Sequence, residues 1–258
     1  MALLRTPARV LRTYALGETS LIAVLLTEEA GLLRAVAKGA REGKNRLRGL
    51  LQAGAALDLL IYLKSRGGLH LLREATARGA LPRPEAALEP LCLRLAALEL
   101  VMATTEEGEA LEGLYPLLDE YLDLFTGAAQ PGWASFFSFE VGLLGLHGVS
   151  AGTDLERCGL CGGPMARDTL RFLPGEGVFA CARHPDEGLP LAPEERDWLL
   201  SIFLARPAAL SGHLPPPAAR TRVGRLLHLA LSRHLPGYRL PRSLAMLGGL
   251  PADEDPSG

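Results

Sequence analysis

Cys158-Gly-Leu-Cys161 and Cys181-Ala-Arg-His184 decide how the second half of the chain must fold. Each is a Cys-x-x-ligand pair, and nineteen residues lie between them. Two ligands on one tight knuckle can turn toward a single point, and two facing knuckles make a tetrahedral pocket. The spacing therefore predicts one structural Zn²⁺ per chain, held by Cys158, Cys161, Cys181 and His184. Protein fills all four positions, so none is left open for catalysis and the metal holds shape only. The competing readings are a module without its metal and a Cys158–Cys161 redox pair. The redox reading is weak because no βαβ pattern surrounds the pair. His147 is the one rival to His184 as fourth ligand. Between the knuckles, Arg171-Phe-Leu173 and Val178-Phe179 flank a Pro/Gly turn and predict a hairpin that returns the second knuckle to the first.

Upstream of the knuckles the pattern is helical. Residues 85–103 carry apolar side chains at 88, 91, 92, 95, 98, 101 and 102, a stripe that includes Cys92 as a core residue. Pro90 marks the first turn of that helix or a kink in it. Residues 111–125 form a second candidate, with Glu112, Asp119, Glu120 and Asp123 facing water. Residues 133–147 are apolar nearly all round and predict a central helix. Downstream, acids at 194 and 195 open a helix running to about 205. Three prolines at 215–217 interrupt the chain, and residues 221–235 are helical again.

Residues 1–80 read differently. Alternating or continuous apolar runs at 8–15, 21–27, 32–38, 56–64 and 69–75 are punctuated by turn residues at 17–19, 28–31 and 65–68. Five short strands with one long polar connection, residues 39–48, suit a small closed barrel, the OB-fold first and an SH3-like barrel second. The fold class is thus α+β and multidomain. It comprises an OB-fold barrel over 1–80, an all-α domain over 81–250 and a zinc-finger module, 151–190, inserted in it. Pro82 and Pro84 mark the boundary.

Net charge is only −2 over 258 residues, with 48% hydrophobic side chains, which excludes a disordered chain. The charge is unevenly spread. Residues 1–80 carry 13 Lys+Arg against 6 Asp+Glu, whereas residues 81–150 carry 2 against 11. A basic first unit beside an acidic middle fits a polyanion-binding face joined to a scaffold. Four cysteines, three of them in knuckles, indicate metal in a reducing cytoplasm. No signal peptide or membrane span is read, since Arg5, Arg9 and Arg12 interrupt the N-terminus and charges break the apolar runs.

Six cations fall between positions 34 and 48 with Glu42 as the only acid there: Arg34, Lys38, Arg41, Lys44, Arg46 and Arg48. A strand and loop of that density can lie along phosphates and release counterions, which makes these the first DNA-binding candidates. A solvated loop is the plain alternative. Arg12 extends the surface, with Arg5 and Arg9 as further contributors. Arg222 and Arg225, one helical turn apart, form a second patch. Arg157 and Arg183 beside the knuckles touch phosphate or pair with Asp154 and Glu156. Tyr14 and Tyr62 are the only aromatics in residues 1–80, so little base stacking is expected. No phosphate-binding loop or nucleophile elbow occurs, and no catalytic residue is assigned. A zinc-dependent nucleic-acid enzyme such as a deaminase is disfavoured, because Arg157 stands where its Pro-Cys-x-x-Cys motif needs proline.

Taken in order, the parts resemble the RecO family of bacterial recombination mediators. The resemblance rests on Val10-Leu-Arg12-Thr-Tyr14 with Gly17-Glu18, Leu25-Leu-Thr27-Glu28 before Gly31, Ala37-Lys38-Gly39-Ala40-Arg41, an aromatic helix before the knuckles, and Tyr238-Arg239-Leu240-Pro-Arg242-Ser243. It spans roughly residues 5–248. Many family members carry four cysteines, where His184 stands here. The resemblance implies a non-enzymatic, nucleoid-associated cytoplasmic protein of recombinational DNA repair. It implies binding to single- and double-stranded DNA, annealing of complementary strands, and recombinase loading with RecR onto strands coated by single-stranded-DNA-binding protein. A protein scaffold without a direct DNA role is the alternative.

Overall fold

The structure is a computed structural model that describes residues 2–43, 45–65, 68–82, 87–127, 131–148, 157–165, 170–173, 178–181, 183–184, 189–213 and 217–247. It has two compact units, residues 1–128 and 129–258.

The first unit is built on five strands: β1 (Ala2–Leu16), β2 (Ser20–Thr27), β3 (Gly31–Ala37), β4 (Ala56–Leu63) and β5 (His70–Ala77). They close in the order β1-β2-β3-β5-β4, with β3 and β5 parallel and the other pairs antiparallel. This is an OB-like arrangement. Closure depends on the length of β1. Its first half pairs with β4, from Ala2↔Leu63 to Arg9↔Ala56, and its second half pairs with β2, from Ala8↔Thr27 to Leu16↔Ser20. A register shift between Val10 and Arg12 bends the strand where it changes partner. Alternation therefore sends Ala8, Val10, Ala23, Leu25, Leu33 and Ala35 into the barrel core. The basic connection after β3 contains one short helical turn, α1 (Leu47–Leu50), where the sequence pattern suggested only a loop.

Helices α2 (Leu88–Thr104) and α3 (Leu114–Asp123) belong to this unit and pack on β1. Pro90 sits in the first turn of α2, where its missing N–H costs nothing. Cys92 is buried, as its place on the apolar stripe predicts, and burial pushes its thiol up. The stripe itself differs from expectation. Leu88 is half exposed, while Leu93, Ala96 and Ala97 are fully buried, so α2 is enclosed on more than one side.

Arg9 departs further from its expected place on the surface. Its side chain is buried, donates to Asp119 Oδ1 at 2.5 Å and to the Gly54 carbonyl at 3.0 Å, and pairs with Asp123. The barrel is thereby tied to α3. A second tie lies at Gly31, which has φ +62° and where a Cβ would fall 1.8 Å from the Glu109 carbonyl oxygen. That closeness lets residue 107 bridge alongside Leu32 at the start of β3. The sequence boundary at Pro82–Pro84 thus marks a change of secondary structure, while the packing division falls near residue 128.

The second unit is organised on α4 (Trp133–Leu146). Trp133, Phe136 and Phe137 contact one another, and Phe137 meets Trp198 of α5 (Pro193–Leu204) edge-on with centroids 5.8 Å apart. Helix α6 (Pro217–His234) opens on the last of the three prolines and buries Val223, Leu226, Leu227, Ala230 and Leu231. Helix α7 (Arg242–Ala245) follows. Between α4 and α5 in sequence lies a three-stranded sheet of β6 (Leu170–Leu173), β7 (Val178–Ala180) and β8 (Leu189–Leu191), in the order β7-β6-β8. The expected hairpin is β6–β7, with Phe172 opposite Phe179. Among the described residues no helix is long and apolar enough to cross a membrane.

Glu140 lies in the middle of α4 and is fully buried, which holds its carboxyl well above the usual carboxylate range of about 4.3. The folded state then keeps a proton that the unfolded chain releases. Stability is greatest below the unfolded pKa and declines as pH rises above it. Glu140→Gln should raise the melting temperature near pH 8, with the gain shrinking toward pH 5. Thermal melts across that interval check it, and a gain independent of pH would contradict this origin.

Candidate nucleic-acid interface and metal centre

The loop after β3 is folded onto the β1–β2 turn. Arg41 N–H donates to the Thr19 carbonyl at 2.8 Å, and its guanidinium reaches the Gly17 carbonyl at 2.6 Å. Gly39 N–H donates to Ser20 Oγ at 3.4 Å. Asn45 stiffens the loop through the Lys38 carbonyl and the Leu47 N–H. Lys38, Arg41, Arg46 and Arg48 all remain exposed. None of the four forms an ion pair among the described residues. Arg12 is exposed, with its guanidinium 5.0 Å from the centroid of the Tyr14 ring.

Other candidates are placed differently. Arg34 is exposed but sits 3.5 Å from Glu107, brought there by the bridge beside β3. Lys44 lies outside the described residues, as do Asp154 and Glu156. Arg222 is engaged within its own unit. It lies 3.4 Å from Glu195 and donates to the Pro190 carbonyl at 3.2 Å, while Glu195 in turn accepts from the Ala192 N–H that opens α5. Arg225 is exposed on the same helix, so the expected pair does not form one free patch. Arg157 and Arg183 are exposed beside the knuckles.

At the knuckles, Cys158, Cys161, Cys181 and His184 bring four ligand atoms within 4.8 Å of one another. His147 is not in the group. Local backbone sets this up. Gly162, at φ +67°, lets its N–H return to the Cys158 carbonyl at 2.8 Å, and the His184 N–H returns to the Cys181 carbonyl at 3.0 Å. Gly159 N–H donates to Phe179 O, and a Cβ on Gly159 would come within 2.5 Å of Val178 Cβ, so only glycine lets the first knuckle lie on β7.

The donor set fits a metal ion. Cys161 and Cys181 sulfurs stand 3.9 Å apart, far beyond a disulfide's ~2 Å. Two thiolates at ~2.3 Å from one tetrahedral ion would be about 3.8 Å apart. His184 Nε2 is buried and has no hydrogen-bond partner among the described residues, which leaves it available to a ligand. Burial raises the Cys158 thiol, but N–H groups of Cys181, Cys161 and Leu160 outweigh it and bring it down to about 6.

A closed basic barrel, a helical body and a Cys₃His knuckle pair define a multidomain OB-like protein with a metal-capable module. Comparison with known proteins narrows this. Residues 1–81 match the family described as "Recombination protein O N terminal", and residues 88–244 match "Recombination protein O C terminal". "DNA repair protein RecO" of Pelobacter propionicus is 31% identical over 240 residues, covering 93% of this chain and 94% of its own length. The protein of that name from Anaeromyxobacter sp. (strain K) is 33% identical, covering 90% of this chain and 91% of itself. That of Chloroherpeton thalassium is 32% identical over 74% of this chain and 73% of itself. The chain belongs to the RecO family.

Proposed function

We propose that this chain is a non-catalytic DNA-binding protein of recombinational repair. It binds single- and double-stranded DNA through the cationic loop of its barrel and anneals complementary strands. With RecR it helps load the recombinase onto strands coated by single-stranded-DNA-binding protein. Its place is the cytoplasm, on the chromosome. One structural Zn²⁺, held by Cys158, Cys161, Cys181 and His184, keeps the knuckle module in shape, and a closed ligand set supplies no reactive position.

Family membership supports this reading, and one observation carries it. Lys38, Arg41, Arg46 and Arg48 are exposed on a braced loop, and none of them pairs with an acid among the described residues. Such a loop exchanges counterions for phosphates irrespective of base sequence. Arg12, Arg34 and Arg225 add exposed charge elsewhere, and Lys44 belongs to the same loop sequence. Arg222 contributes least, since its guanidinium holds Glu195.

Annealing of complementary oligonucleotides tests the proposal. The purified chain should accelerate duplex formation equally with and without nucleoside triphosphate. Acceleration that requires the triphosphate, or none at all, would overturn it.

A further inference from the structure

We propose that Cys161 is an oxidation site for hydroperoxides, and that Cys181 captures its oxidised sulfur as a disulfide joining the two knuckles. This rests on the structural-zinc reading above and adds a reaction at a ligand sulfur, not at the metal.

Exposure separates the three knuckle sulfurs. Cys158 and Cys181 are buried, whereas Cys161 is exposed. Hydrogen bonding separates them further. The Cys158 sulfur accepts from the Cys181 N–H at 3.4 Å and from the N–H groups of Leu160 and Cys161, while the Cys161 sulfur accepts from the Gly163 N–H. Each N–H draws charge from the thiolate it meets and lowers its nucleophilicity. Cys161 is therefore both the reachable sulfur and a more reactive one than Cys158.

The surface around it suits a small oxidant. A Cβ on Gly162 would meet no described atom within 4 Å, so that side of the knuckle is open. A Cβ on Gly163 would stand 3.5 Å from the Cys161 sulfur and 2.5 Å from an Arg183 nitrogen. The bare glycine thus lets the Arg183 guanidinium lie beside the sulfur. Arg157 donates to the Gly162 carbonyl at 3.3 Å and brings a second guanidinium to the same rim. Cations placed there stabilise the hydroxide that leaves when an O–O bond breaks. The second thiolate is already near, with the Cys181 sulfur 3.9 Å from that of Cys161. An accessible cysteine beside a resolving cysteine is the arrangement of a redox sensor. This bridge spans the two knuckles, unlike a Cys158–Cys161 pair.

The Cys161 thiolate attacks one peroxide oxygen. An S–O bond forms, the O–O bond breaks, and hydroxide leaves behind a sulfenic acid. The Cys181 thiolate then attacks that sulfur, forming the S–S bond as the S–O bond breaks and a second hydroxide leaves. Two thiolates have lost two electrons, the peroxide has gained them, and two solvent protons turn both hydroxides into water. Two of the four ligand sites are consumed, and Cys158 with His184 are too few to hold the ion.

Zinc-loaded protein treated with a small molar excess of hydrogen peroxide tests this. A chromogenic chelator follows zinc release, and differential alkylation with mass spectrometry follows each cysteine. Zinc should leave in step with loss of the Cys161 and Cys181 thiols and with appearance of a peptide pair joining them. Cys92, buried in α2 of the other unit, should stay reduced. A dithiol with added zinc should reverse the change. Arg183→Ala should slow release roughly tenfold at unchanged zinc content, the range of one hydrogen bond to a charged group. Cys161→His supplies a fourth ligand that peroxide attacks far more slowly, and should keep its zinc through the treatment. Should that variant fail to load zinc, the order of cysteine oxidation in the unsubstituted chain decides alone. First oxidation at Cys92 or Cys158, a Cys158–Cys161 bridge, or an unchanged rate in either loaded variant would overturn the site. If the protein holds zinc that peroxide does not displace, this proposal falls and the zinc reading stands. If it holds no zinc, the zinc reading falls and takes this proposal with it.

Discussion

Neutralising Lys38, Arg41 and Arg46 together to glutamine lowers affinity for single-stranded DNA by about 10²-fold at 0.1 M salt. The figure follows from counterion release. Each phosphate contact on a single strand contributes about 0.7 to the slope of log affinity against log salt, so three lost contacts remove about 2 from the slope. The three side chains are exposed, and among the described residues the one hydrogen bond made by any of their head groups is that from Arg41 to the Gly17 carbonyl. The fold should therefore survive with an unchanged melting curve. Titrations at several salt concentrations check both quantities, and the loss should be similar for strands of different sequence, because phosphate contacts carry no base information. Unchanged affinity, or a loss with the original slope, would show that the cationic loop is not where DNA lies.

The barrel was legible because its cause is local. Strand alternation and turn glycines are written in neighbouring residues, and four of the five strands begin and end within two or three positions of where the pattern puts them. The first half of β1 was not legible. Residues 2–7 include Arg5 and Pro7 and show no alternation, and they are strand because barrel closure supplies a partner in β4. Arg9 illustrates the same limit for charge. A cation near the N-terminus reads as surface, but its carboxylate partners lie 110 and 114 positions downstream, on α3. Arg222 repeats it over a shorter span. Helical spacing predicts that it shares a face with Arg225, but not that Glu195 stands opposite. For α2, spacing alone favoured a single stripe, whereas Ala96 and Ala97 are small enough to let neighbours close on another side. The metal ligands lie at the other extreme, since knuckle spacing encodes the pocket directly.

Purified protein should contain one zinc per chain, and Cys158→Ser or Cys181→Ser should abolish it. The consequence expected is local unfolding. The sheet β7-β6-β8 has strands of only three or four residues, with Phe172 and Phe179 at 5.2 Å as its main apolar pair. So small a core cannot offset the entropy of ordering some thirty residues, at about 1–2 kcal/mol each for the backbone alone. In zinc-finger peptides the metal contributes about 10–16 kcal/mol of apparent binding free energy, and that energy appears as folding. Without the ion, the buried Cys158 and Cys181 sulfurs and the unpartnered His184 nitrogen are left without their ligand. Chelation or either substitution should then open residues 157–191 to protease and to fast amide exchange. The barrel strands of residues 2–77 include none of the ligands and belong to the other compact unit, so their protection should persist. Serine at Cys161, the one exposed sulfur, should be milder than serine at Cys158 or Cys181. Protection of 157–191 that survives complete metal removal would mean that the sheet stands unaided and that the four side chains converge for another reason.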